Sequence, residues 1–171
     1  MKKLILFLLV LFSAAGMYLW DKGKDFHEVR TEMDIAAPPE KVWAILADIN
    51  SWQEWSPIIN HSSGDASLGS TLSIIMIGEK EYQSGPEYNP IITHLEAPKS
   101  LHWRAVMMMG VGLTNDKIIE LEATPAGTHV VHKELFKGML LPMFRGTFDR
   151  NVPLMLNAMN EALKLRAEKD E

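Results

Sequence analysis

His132 and Glu134 stand two residues apart in the segment 128–137. Side chains of a β-strand alternate between faces, so residues two apart share one. Val130 and Phe136 fall on the same face, while His129, Lys133 and Lys137 fall on the other, which must be solvated. An imidazole and a carboxylate turned towards an apolar interior could form an acid/base pair with shifted pKa values. They could equally anchor the polar group of a ligand, or satisfy structural needs at a rim. The residues leave these three readings open.

A second set comes from the segment 100–109. Leu101, Trp103, Ala105, Met107 and Met109 form its apolar face, with His102 and Arg104 on the opposite side. In 86–97, alternation puts Tyr88, Ile92 and His94 on one face and Ile91, Thr93 and Leu95 on the other. Methionine is flexible and polarizable and suits surfaces that adapt to varied apolar shapes. Met107, Met108, Met109, Met139, Met143, Met155 and Met159 fall in the segments expected to wall such a space. The candidate ligand contacts are therefore Trp55, Trp103, Met107, Met109, Val130, His132, Glu134, Phe136, Met155 and Met159. Of these, His132 and Glu134 are the weak catalytic candidates.

Other chemistries lack their residues. Cysteine is absent, which removes disulfides, thiolate metal sites and cysteine nucleophiles. No H-x-x-x-H or H-E-x-x-H pattern occurs among the six histidines, and His129 and His132 point to opposite faces of a strand. There is no G-x-S-x-G elbow, glycine-rich phosphate loop or dinucleotide fingerprint. Neither a metal nor a cofactor is expected. The formal charge of -5 argues against nucleic acid as a partner, since a binder needs a basic stripe to displace counterions.

The elements that must position these residues can be read along the chain. The 171 residues, 47% hydrophobic and 23% charged, fit one core-forming domain. A strand over roughly 26–36 leads to Pro38-Pro39-Glu40, where proline suits a first helical turn. Val42, Trp43, Ile45, Leu46 and Ile49 predict a short helix over 39–48, and a second holds Trp52 and Trp55 before Pro57 ends it. Strands are expected near 58–66, 70–78, 86–97, 100–109, 115–124 and 128–137, separated by turn signals and by no helix. That order implies antiparallel connections. The segment 144–168 is helical, with Phe148, Val152, Met155, Leu156, Met159, Ala162 and Leu163 on one face and a kink expected at Pro153. Gly138 to Phe144 and Gly110-Val111-Gly112 are candidate gates.

The amino terminus is a separate object. Met1-Lys2-Lys3 precedes Leu4 to Trp20, a run without charge. It reads as a targeting segment over 1–20, followed by a polar tether over 21–25 and the domain over 26–171. Ser13-Ala14-Ala15-Gly16 could support cleavage of a signal peptide. The continuation through Met17-Tyr18-Leu19-Trp20 favours a retained anchor, which would hold the domain at the membrane on its periplasmic or extracytoplasmic side.

The stretch from Met33 to Asp48, containing Ile35-Ala36-Ala37-Pro38 and Val42-Trp43, resembles the opening of the START-like, or SRPBCC, superfamily. The resemblance is to its polyketide cyclase/dehydrase and lipid-transport branch, and it extends through Trp52-Gln53-Glu54-Trp55-Ser56-Pro57 to the last helix, covering about 28–167. It implies an α+β helix-grip (START/Bet v 1-like) fold: a curved antiparallel sheet of about seven strands around a long carboxy-terminal helix, with two short helices after the first strand. It also implies a deep apolar cavity between sheet and helix. The function so implied is binding of a hydrophobic small molecule, such as a lipid, isoprenoid or polyketide-like compound. A cyclase or dehydratase using His132 and Glu134 in the same cavity is the alternative, and a partner-binding envelope domain without ligand is a second one.

Overall fold

The computed structural model describes residues 25–78, 84–107 and 112–169, with positions 5, 7, 8, 13–18 and 21 of the amino-terminal segment. The elements in chain order are β1 (His27–Ile35), α1 (Pro39–Ala47), a 3-10 turn (Ile49–Ser51), α2 (Trp52–Trp55), β2 (Ile59–Ser63), β3 (Ser73–Ile77), β4 (Ser84–Tyr88), β5 (Ile91–Glu96), β6 (Ser100–Met107), β7 (Leu113–Thr124), β8 (Gly127–Lys137) and α3 (Leu141–Ala167).

Strands β1-β8-β7-β6-β5 form one antiparallel sheet in that spatial order, and β2-β3-β4 form a smaller one. A bridge between Thr71 and Ile91 joins the two, reinforced by Leu72 N donating to Pro90 O (2.8 Å) and Ile92 N donating to Ser70 O (2.9 Å). The sequence predicts one strand over 86–97, whereas the structure divides it into β4 and β5. Pro90 lies at the division: it has no N–H to give a ladder and pushes Asn89 away from regular pairing. Eight strands among the described residues thus replace the expected seven.

The 27-residue helix α3 begins a turn earlier than expected, with Pro142 in its first turn, and continues through Pro153. Its buried residues Val152, Leu156, Met159, Asn160, Leu163 and Ala167 recur at helical spacing and lie along β1. Both ends are tied to β1 and its exit. His27 Nε2 lies 2.8 Å from Asp149 Oδ1, and Lys164 Nζ donates to Asp34 O (2.6 Å). Glu168 Oε1 accepts from Ala36 N (2.7 Å). A long helix held in the curve of an antiparallel sheet is the helix-grip arrangement.

The interior splits into two apolar clusters. The larger gathers Ile35, Val42, Leu46, Trp52, Trp103, Val130, Met159 and Leu163 with their neighbours. The smaller holds Val29, Leu113, Phe136, Leu141, Val152 and Leu156, with Met107 and Phe148 packed against it. None of the described helices is long and apolar enough to cross a membrane. The expected anchor over 1–20 falls largely outside the described residues. So do Met108, Met109, Gly110 and Val111.

Candidate functional site: a polar belt between two apolar clusters

Register decides which side chains meet. Trp103 on β6 faces Lys117 on β7, and Lys117 faces Glu134 on β8, so the three form one row across the concave face. The next row pairs Ile119 with His132, and His132 with Thr31 on β1. These two rows place polar groups where the strand alternation would otherwise continue the core.

Lys117 Nζ lies 2.8 Å from Glu134 Oε1, with only 6% and 12% of the two side chains exposed. Asn115 Nδ2 donates to Glu134 Oε2 (3.1 Å), and the Lys117 ammonium stands 5.7 Å from the centre of the Trp103 ring. The carboxylate is thus fully engaged, as a buried charge must be, and the ammonium adds a cation–π contact. Tyr88 keeps part of its surface exposed, yet its hydroxyl is desolvated near Glu134. Burial first, then the Glu134 charge, pushes the phenol well above its ordinary range.

His132 is 1% exposed and its Nδ1 lies 2.8 Å from Asn160 Oδ1. Asn160 Nδ2 in turn donates to Thr31 Oγ1 (3.0 Å). Burial, and secondarily the Lys117 charge, pulls the imidazole pKa down to about 3 against the opposing Asn160 bond. His132 and Glu134 share a face as expected. Their hydrogen bonds nevertheless run to different partners, His132 to the helix and Glu134 to β7.

The remaining sequence candidates are distributed over both clusters. Trp103 is 1% exposed and rests on Trp52, ring centres 5.4 Å apart. Val130 and Met159 lie in the larger cluster, with Trp55 packed against it from the half-buried end of α2. Phe136 belongs to the smaller cluster and stacks on Phe148 at 4.0 Å, with Met107 beside it. Met109 lies outside the described residues. Met143, expected on a cavity wall, points outward at 66% exposure. The expected common face of Ile92 and His94 is also corrected: a bulge at Thr93 puts Ile92 opposite Trp103 and His94 opposite His102.

Met155 lines an apolar groove of about 350 Å³ with Pro57, Ile58, Met76, Ile77 and Pro86, where α3 passes the smaller sheet. Ile58 and Met76 pack against the same cluster as Trp55 and Trp103. Among the described residues, Trp55 Nε1, Trp103 Nε1 and His132 Nε2 are buried without a hydrogen-bond partner. The described residues contain no group of three or more His, Asp or Glu side chains able to hold a metal ion.

Lys117, Asn115, Asn160, Thr31 and Trp52 were not among the sequence candidates. The phase of Ile119 and Leu121 on β7 does point to Asn115 and Lys117 as inward, and Asn160 lies on the α3 face marked by Leu156 and Leu163.

A curved sheet gripping a long helix, with polar side chains set into an apolar interior, defines the class as a helix-grip domain. The chain belongs to the family described as polyketide cyclase / dehydrase and lipid transport, whose model matches residues 27–169. Among solved structures, it is similar to the di-domain ARO/CYC BexL from the BE-7585A biosynthetic pathway. That match has 12% identity and a TM-score of 0.70, covering 85% of this chain and 51% of that one. It is also similar to protein CV1439 from Chromobacterium violaceum (16%, TM-score 0.68, 84% and 99% covered). A third likeness is to norcoclaurine synthase from Thalictrum flavum, in complex with dopamine and hydroxybenzaldehyde (12%, TM-score 0.66, 90% and 94% covered). At these identities the likeness is one of fold. No curated protein matches the chain in sequence.

Proposed function

We propose that the domain binds a hydrophobic small molecule, of lipid, isoprenoid or polyketide-like character, between the concave sheet and α3. Trp103 carries the reading. It is buried in the apolar cluster, its indole N–H has no partner among the described residues, and the Lys117 ammonium stands against its ring. A buried donor left unpaired costs roughly 1–3 kcal/mol. A guest bearing an acceptor oxygen recovers that cost while its apolar body adds roughly 25 cal/mol per Å² removed from water. The apolar groove beside Met155 lies on the surface over Ile58 and Met76, which pack against the same cluster as Trp103.

Binding is better supported than proton transfer. A general acid or base works best with a pKa near the operating pH. His132, at about 3, stays neutral there and is a weak base. Glu134 is held by Lys117 and Asn115.

Residues 1–20 are assigned to export and membrane anchoring on the strength of the uncharged run from Leu4 to Trp20. The exposure of the helical Ile5, Phe7, Leu8 and Met17 also supports this. A tether over 21–25 would keep the domain within about 18 Å of the bilayer. Fractionation tests this part: retention in alkali-washed membranes supports an anchor, and a soluble extracytoplasmic form indicates cleavage.

The binding reading is tested by titrating the full chain with the apolar fluorophore 1-aminoanthracene, excited through tryptophan. Saturable transfer that an excess of fatty acid or polyaromatic competitor abolishes is the expected result. Emission that never saturates contradicts it.

A further inference from the structure

The hydrogen bonds around His132 fix which of its nitrogens is free, and this deepens the ligand-binding reading on which it rests. Asn160 Nδ2 donates to Thr31 Oγ1 (3.0 Å), and the amide turns its Oδ1 to His132 Nδ1. An amide oxygen only accepts, so His132 Nδ1 carries the proton and donates across 2.8 Å. In a neutral ring the other nitrogen is then a bare lone pair. That atom, Nε2, is buried and unpartnered among the described residues. Protonation does not relieve it, because burial and the nearby Lys117 both disfavour the imidazolium. The chain Thr31–Asn160–His132 thus crosses from β1 through α3 to β8 and ends in a buried acceptor. Trp103 Nε1, one row along the sheet and on β6, is an unpartnered donor in the same interior.

We infer that this interior selects an apolar molecule bearing a hydroxyl group, which donates its hydrogen to His132 Nε2, and that the Thr31–Asn160 relay is the positioning device that keeps this nitrogen unprotonated. Lipid or polyketide skeletons without a donor leave the nitrogen unpaired and are discriminated against. An acceptor oxygen elsewhere on the same guest meets Trp103 Nε1. A phenol or sterol-like alcohol satisfies this pattern, and a plain hydrocarbon or an ester without a free hydroxyl does not.

The test compares 2-naphthol with 2-fluoronaphthalene, which are similar in size and differ in the donor. Both are titrated into the full chain and read by quenching of tryptophan emission. The expected result is binding of 2-naphthol about tenfold tighter, the scale of one buried acceptor left unsatisfied, with the preference lost in His132→Leu and partly kept in His132→Gln. Should the variants not fold, the ring nitrogens of His132 are followed by NMR in the unmodified chain. Nε2 is expected to resonate as an unprotonated nitrogen and to shift on adding 2-naphthol but not 2-fluoronaphthalene. Equal affinity for the two probes, or a protonated Nε2, overturns the hydroxyl selection while leaving apolar binding in place. Binding of neither probe overturns both.

Discussion

Lys117 and Glu134 form an ion pair at 2.8 Å on the concave face of the sheet, between the two apolar clusters. Such a pair does little for net stability, because two desolvated charges offset their own attraction, but losing one partner strands the other. Lys117→Met and Glu134→Leu are each expected to cost about 3–5 kcal/mol. The double variant should cost much less than the sum of the two. Urea denaturation of the four proteins closes the cycle, and additive losses would show that the two side chains do not depend on one another.

His132 gives stability a pH dependence whose sign follows from its depressed pKa. The unfolded chain takes up a proton near the ordinary histidine value of about 6.5, and the folded one only near 3. The unfolded state therefore binds more protons between these values, and stability falls as pH drops through that window. The slope from this one group approaches about 1.4 kcal/mol per pH unit. Asn160→Asp sets a carboxylate against the ring, raises the folded pKa and flattens the slope. Denaturation midpoints from pH 4 to 7 measure it. An unchanged slope in Asn160→Asp would contradict the assignment of the burden to His132.

Gly138 takes φ +142°, and a Cβ there would collide with the carbonyl of Gly112. Leu140 N also donates to Gly112 O (3.0 Å), so the turn into α3 and the β6–β7 connection are held together. The two segments expected as candidate gates therefore meet at Gly112 and Gly138. Gly138→Ala is expected to destabilise the domain by more than 1 kcal/mol, since both the backbone conformation and the close approach oppose a side chain. Thermal unfolding checks this, and a loss confined to a few tenths of a kcal/mol would argue for a loose junction.

The fold was legible because its signals are local. The proline at the start of α1, the strand alternation of Val130, His132, Glu134 and Phe136, and the helical spacing of Val152, Leu156 and Leu163 all survive in the structure. The belt was less legible because its meaning is non-local. Alternation alone turns Lys117 inward, yet lysine is rarely buried unless paired, and its pairing with Glu134 depends on the β7–β8 register. The relay from Asn160 to His132 spans 28 residues and exists only once α3 lies on the sheet. Spacing marks Trp52 and Trp55 equally. The short α2 buries Trp52 completely against Trp103 and leaves Trp55 half-covered, a choice set by packing. The bulge at Thr93, which separates Ile92 from His94, leaves no mark in the alternation itself.

The most direct measurement is native mass spectrometry of the full chain, purified in mild detergent without any delipidating step. The expected spectrum contains a complex of one chain with one apolar small molecule, released on denaturation and identified in the organic extract, and weakened in Lys117→Met. A spectrum of bare chain alone, from a preparation that also fails to take up added lipid or polyaromatic guests, would contradict a ligand-holding interior.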